Sequence, residues 1–165
     1  MQNANRVDHG AIRSAQLLTI LTLAASGLTG RWEPVALLAG VFLVTALYFP
    51  AGPFILVYRW LLRPLGIMRP DLRVDHLQPH RFGQAVGAVG AAAAAGLLYL
   101  GYTAAGLLVV AVLIFLTAVS FSGWCIGCFI YFQLYRLGLR GFFGKAPTDP
   151  RKPAGSRPGK DLADG

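Results

Sequence analysis

Charge is what this sequence has least of. Only 13% of its 165 residues are Asp, Glu, Lys or Arg, against about a quarter in an ordinary soluble domain. Half the usual complement leaves too little polar surface to cover a water-facing globule. With 55% hydrophobic residues and a mean hydropathy of +0.55, the chain reads as a membrane protein. Cysteine is nearly absent too, with Cys125 and Cys128 the only two. Neither a cofactor nor a nucleic-acid partner is expected; the lipid bilayer is.

The uncharged stretches are long. No charged side chain occurs in the 54 residues from Phe82 to Tyr135. One span needs roughly 20 apolar residues to cross a ~30 Å hydrocarbon core, so this run suits two spans joined by a turn in "YLGYTAAG", with Gly101 as its pivot. Upstream, Ser14 to Gly30 is uncharged, "RWEP" interrupts, and Pro34 to Tyr58 is uncharged again. The sequence therefore predicts four transmembrane helices in an all-α membrane protein. Buried helices of a soluble protein do not carry uncharged runs of this length. The first span, preceded by Arg6 and Arg13 and ending in "AASG", resembles a cleavable signal, but it has a counterpart inside the chain and is read as a mature helix.

With four spans, both termini and the middle loop share one side. That side carries 14 of the 15 Lys and Arg residues, and the other carries Arg31 alone. The positive-inside rule then puts both termini in the cytoplasm, and the expected location is a cytoplasmic (inner) membrane.

The two halves resemble each other. Asp8, His9, Arg13 and Gln16 in "VDHGAIRSAQ" align with Asp75, His76, Arg81 and Gln84 in "VDHLQPHRFGQAVG" once one residue is inserted. "PAGPFI" (Pro50 to Ile55) aligns with "CIGCFI" (Cys125 to Ile130), so Gly52 matches Gly127 and the cysteines fall on Pro50 and Pro53. The membrane domain, residues 1–142, is thus expected to hold two pseudo-repeated hairpins, about 7–66 and 74–141, related by an axis along the membrane normal. Pro50 and Pro53 break the second span. The segment after them, with Arg59 and Arg63 four apart, reads as a short interfacial amphipathic helix. A matching helix is expected after the fourth span, which should end near Gly123; it carries Arg136 and Arg140. Residues 143–165, rich in Pro, Gly and charge, form a disordered basic tail. Gly83, Gly87 and Gly90 with the following alanines make a narrow packing face.

This register puts the dithiol at the cytoplasmic boundary. A structural disulfide is not expected there. If Cys125 heads a helix, unpaired N–H groups favour its thiolate; Arg136 and Arg140 lie too far along to help. "WCIGC" also echoes the thioredoxin active-site string, over five residues only. Three readings stay open. Cys125 is a nucleophile and Cys128 its resolving thiol, or the pair carries a persulfide. Alternatively, Cys125 and Cys128 join His76 and His80 of "HLQPH" in a zinc site, although Pro79 disfavours a regular helix through both histidines. In the third, the cysteines only pack, in a scaffold or small transporter-like bundle.

Asp8 and Asp75 either cap helices or pair with Arg13 and Arg81. Gln16 and Gln84 face the bundle, where an amide needs a partner. Arg81 and Gln84 are either supporting residues beside the dithiol, as Gly127 is by its position between the cysteines, or, for Arg13 and Arg81, snorkelling anchors. His9 is expected at the surface.

Taken together, "PHRFGQAVG" after Asp75, "RWLLRPLG" and "CIGCFIYFQLYRL" resemble a bacterial four-helix integral membrane family known only as a numbered domain of unknown function. The resemblance covers roughly residues 1–140, through R-F-x-Q-x-x-G and C-x-G-C-x-x-Y elements. It implies motif positions Arg81, Phe82, Gln84, Gly87, Cys125, Gly127, Cys128 and Tyr131, with no departure at any of them. It requires neither His76 nor His80 and brings no established activity. An association of some relatives with thioredoxin-like and sulfurtransferase proteins suggests a soluble partner of that kind. Quinone-linked disulfide enzymes share the four-helix outline but use more cysteines, on the opposite membrane face.

Overall fold

The computed structural model describes residues 6–67, 70–74 and 77–137. Expectations for Asp75, His76, Arg140 and the tail fall outside the described residues. A short strand β1 (Arg6–Asp8) leads into α1 (His9–Thr29) and α2 (Glu33–Leu47). A 3-10 turn at Phe49–Ala51 precedes α3 (Pro53–Leu62), which closes in a π-turn. Strand β2 (Leu72–Val74), α4 (Leu77–Tyr99), α5 (Thr103–Phe121) and α6 (Ile126–Arg136) follow. The strands form a two-stranded antiparallel ribbon in which Val7 faces Arg73, a small departure from an all-helical chain.

Three helices, α1, α4 and α5, are long and apolar enough to cross a membrane. The tight turn between α4 and α5 contains Gly101 at φ 84°, a left-handed conformation that suits glycine. The second expected span is shorter than its uncharged run. α2 has 15 residues, about 22 Å at 1.5 Å per residue, and stops at Leu47, at the break expected from Pro50 and Pro53. Pro50 explains the stop. It has no N–H to donate to the carbonyl of Ala46, four residues back. Arg81 supplies the missing donors from α4: its Nε donates to Ala46 O at 2.7 Å and its terminal nitrogen to Leu47 O at 2.7 Å. A cation at a helix C-terminus also complements the dipole.

The core lies where α2 packs on α4. Leu23, Val35, Leu38 and Phe42 meet Ala88, Ala91, Ala94 and Leu98, with Val110 of α5 completing the cluster. Gly87 lies under the Phe42 ring, where a Cβ would come within 3.1 Å. The small-residue face of α4 therefore packs, as expected. α1 packs on α5, and the helices of each hairpin pack on each other. Apolar side chains also cover the outside: Leu37 is 70% exposed, Val89 72% and Phe115 65%. That surface suits lipid and would drive association in water. Hydroxyls within the helices are satisfied locally, Thr45 donating to Val41 O and Thr117 to Leu113 O, as a water-free interior demands.

Asp8 organises the end of the bundle that holds the ribbon. Its Oδ1 caps α1 by accepting from the N–H of Gly10 at 2.9 Å and also accepts from the N–H of Asp71 at 3.0 Å. Its Oδ2 accepts from the hydroxyl of Tyr58 at 2.9 Å. Of the two roles considered for Asp8, capping is the one the structure has; Arg13 instead stacks over the Phe121 ring at 5.0 Å. Tyr58 is 1% exposed, and burial, then the hydrogen bond to Asp8 and its charge, push the phenol up to about 12. Replacing Tyr58 by Phe leaves one carboxylate oxygen without its donor and should cost about 1–3 kcal/mol. Denaturant titration in detergent checks this, with Asp8→Ala expected to be the more damaging change because the helix cap is lost as well.

Candidate functional site

α5 ends at Phe121, the chain turns through Gly123 at φ 112°, and α6 begins at Ile126. Cys125, extended at φ −86° and ψ 108°, is the N-cap of α6. Its sulfur accepts the backbone N–H of Cys128 at 3.2 Å, the place that Ser, Thr, Asp or Asn usually fills with oxygen. The sequence register anticipated this position. Both residues are thiols, with Cys125 half-buried and Cys128 buried.

What lies opposite is set by a backbone contact. α6 rests on the start of α4 through two glycines: a Cβ on Gly127 would stand 2.8 Å from the Cα of Gly83. His80, one turn before Gly83, is thereby brought to the dithiol, with Nδ1 4.0 Å from the sulfur of Cys128. The donor atoms of His80, Cys125 and Cys128 all lie within 4.8 Å of one another. Further along α6, the Tyr131 hydroxyl donates to Gln78 Oε1 at 3.0 Å and its ring meets Phe82 edge-on. These contacts give Phe82 and Tyr131 of the two motifs a packing role.

The surroundings favour the charged form of Cys125. A hydrogen bond from the Cys128 side chain lowers its pKa most, burial opposes, and the charge of His80, the Cys128 N–H and the Ser120 hydroxyl lower it further. The net result is about 6, against ~8.5 for an ordinary cysteine. Ser120 stands on the last turn of α5 and accepts from Gln16 Nε2 of α1 at 2.8 Å. Behind Cys125 opens a cavity of about 180 Å³, walled by residues of α1, α2, α4, α5 and α6, among them Gln16, His80, Gln84, Ser120 and Gly127.

The expected site residues divide. Cys125, Cys128, Gly127 and His80 come together, and Gln84 lines the cavity. Arg81 is a correction: its guanidinium is committed to the end of α2, not to the dithiol. His76 lies outside the described residues. Pro79 proves compatible with a helix through His80, because it falls in the first turn of α4, where its missing N–H has no intrahelical partner to lose. His9 is a second correction, being 3% exposed rather than superficial, with its ring edge-on to His80 at 5.9 Å. Sequence reasoning missed Ser120; one serine among the small residues closing an apolar helix carries no distinguishing signal.

Residues 7–136 match the model of the family described as Domain of unknown function (DUF4395), and the chain belongs to that family. Neither the curated proteins nor the solved structures contain a match to it. The motif glycine can be tested directly. Gly127→Ala forces the α4 and α6 backbones apart and should destabilise by about 1–3 kcal/mol. Its thermal midpoint in detergent should fall below that of Gly87→Ala, where the opposing atoms belong to the movable Phe42 ring.

Proposed function

We propose that this member of the DUF4395 family is a multi-pass protein of the bacterial cytoplasmic membrane that handles thiols or sulfur through Cys125 and Cys128. The observation that carries the reading is the Cys125 sulfur held at the head of α6 by the Cys128 N–H. A thiolate so placed is a nucleophile at neutral pH. Cys125 attacks one sulfur of a partner disulfide, whose other sulfur leaves as thiolate. Cys128 gives its proton to the departing partner thiolate and attacks the Cys125 sulfur, releasing the partner's second sulfur as thiolate. The partner gains two electrons and the dithiol becomes a disulfide. A soluble thioredoxin-like or sulfurtransferase protein fits this exchange.

The topology behind this reading is four spans with both termini in the cytoplasm. It is supported by charge: four spans would gather 14 of the 15 basic residues of the sequence on one side, as the positive-inside rule asks. It is also supported by Trp32 and Tyr48 at the two ends of α2, since aromatic side chains favour membrane boundaries. A short span is tolerated through local thinning of the bilayer. The duplicated-hairpin reading draws support from the packing: α2 lies on α4 and α1 on α5, the exchange a twofold axis would make, while α3 rests on α1 as α6 rests on α4. Trp60 and Leu61 of α3, 77% and 54% exposed, suit a helix lying in the interface.

Alkylation of Cys125 against pH tests the chemistry. The rate should rise through pH 6 and level off by about pH 7.5, whereas an ordinary thiol is still rising at ~8.5. His80→Ala removes a positive charge and should move the midpoint upward. Cys128→Ser should accumulate a mixed disulfide that Cys125→Ser does not. Cysteines that stay unreactive at pH 8 in the folded protein would overturn the proposal and leave a scaffold in which they only pack.

The clustered donors of His80, Cys125 and Cys128 favour a second reading, a zinc-stabilised membrane module. Tetrahedral coordination at ~2.0–2.3 Å requires these donors to draw slightly inward. About one zinc per purified chain, lost in His80→Ala, is expected on that reading; far less than one rules it out.

A further inference from the structure

The cavity behind Cys125 reaches the outside of the bundle. Of its lining residues, Val86 of α4 and Ile130 of α6 are also exposed, by 48% and 39%; the others are buried or half-buried. These two side chains mark the mouth, and both are hydrocarbon. The packing of α6 leaves room for an opening. It rests on α4 and touches α5 little, while Leu113, Leu116 and Thr117 of α5 form the wall opposite. Val86 stands nine residues past the start of α4, about 14 Å along the helix axis. On the four-span topology that is deeper than the headgroup layer of roughly 5–8 Å, so the mouth faces hydrocarbon.

The interior matches its mouth. Val41, Phe42, Phe54 and Ile55 line it together with Leu113 and Leu116. The hydroxyls of Thr45 and Thr117 donate to carbonyls of their own helices, and the Gln16 amide donates to Ser120. His80 belongs to the dithiol end of the cavity, beside Cys128. The volume, about 180 Å³, compares with the ~150 Å³ of an engineered protein cavity that takes up benzene. A guest of that size is held in proportion to the apolar surface it buries, and Cys125 stands in the wall beside it.

We propose that Cys125 is also reached from the bilayer: a small apolar molecule carrying a sulfur–sulfur bond enters past Val86 and Ile130, occupies the cavity and is opened by the Cys125 sulfur. This rests on the thiol reading of Cys125 and names a substrate class for it, neutral disulfides or polysulfides with short apolar groups. The bond attacked is the one the dithiol attacks in a protein partner; the cavity adds a lipid-soluble source of it. The Cys125 thiolate forms a bond to one sulfur, the sulfur–sulfur bond breaks, and the other sulfur leaves as thiolate with the electron pair.

Alkyl methanethiosulfonates are suitable probes, because they transfer RS to a thiolate, release methanesulfinate and allow R to be chosen. The butyl compound is neutral and apolar, and the sulfonatoethyl compound is an anion of similar length. Their rates at Cys125 are followed by intact mass on the full-length Cys128→Ser chain in detergent, where the adduct cannot be resolved, at about pH 7.5. Each rate is divided by that of a cysteine peptide in the same detergent. The chain's net charge of +8 by itself favours the anion. The cavity predicts the reverse, a preference for the butyl reagent of at least about tenfold over the peptide ratio. Val86→Trp and Ile130→Trp separate the cavity from mere uptake by the micelle, since each narrows the mouth and leaves the detergent unchanged. Either should slow the butyl reagent several-fold while the sulfonatoethyl rate and the pH midpoint of Cys125 stay in place. A ratio equal to the peptide's, or a high ratio that neither tryptophan lowers, overturns entry through this mouth and leaves the thiol reading standing. A Cys125 that reacts with neither reagent overturns both.

Discussion

The approach of Gly83 to Gly127 is the contact on which the candidate site depends. Two helices can meet backbone to backbone only where neither carries a side chain, and any Cβ at 127 would reach into α4. That approach draws the first turn of α6 across the first turns of α4. His80 then stands near Cys128, Tyr131 finds Gln78, and the sulfur of Cys125 faces the bundle. The glycine between the cysteines is therefore the hinge of the geometry, more than a spacer in a C-x-G-C string.

A second constraint comes from the solvent. Where apolar surroundings exclude water, every backbone polar group must be satisfied within the protein, and a proline near a helix end breaks that rule unless another donor arrives. Arg81 is that donor for α2, and Asp8 does the complementary service for the N–H groups at the head of α1. Both act between segments far apart in the chain, tying α4 to α2 and the 70–74 segment to α1. The fold is thus fastened near the dithiol by polar contacts, while its middle is held by small residues packing against larger ones. The same logic extends to Cys125, whose sulfur doubles as a helix cap and so is stabilised in its charged form by the group it caps.

Much of the fold was legible. The shortage of charge announced helices long and apolar enough to cross a membrane, of which α1, α4 and α5 are three; Gly101 marked the α4–α5 turn, and Gly123 marked the break before the cysteine helix. The end of α2 was legible as well: Pro50 and Pro53 marked the break inside an uncharged run that continues to Tyr58, and the helix stops at Leu47, where Pro50 withdraws its donor. Arg81 was named for the right neighbourhood and the wrong partner. His80 was considered only as half of a histidine pair, and Ser120 not at all.

Composition and spacing determined the things that depend on local chemistry: long uncharged runs make helices apolar enough to cross a membrane, glycine permits a turn, and a cysteine after a helix break becomes a cap. Which side chains meet across the bundle was decided only in three dimensions. An amphipathic helix announces its buried face by an apolar stripe, but these helices are hydrophobic all round. The rotation of each helix is then fixed by shape and by a few long-range hydrogen bonds, such as Gln16 to Ser120, 104 residues apart. Those contacts, and the cavity they enclose beside Cys125, exist only once the helices have packed.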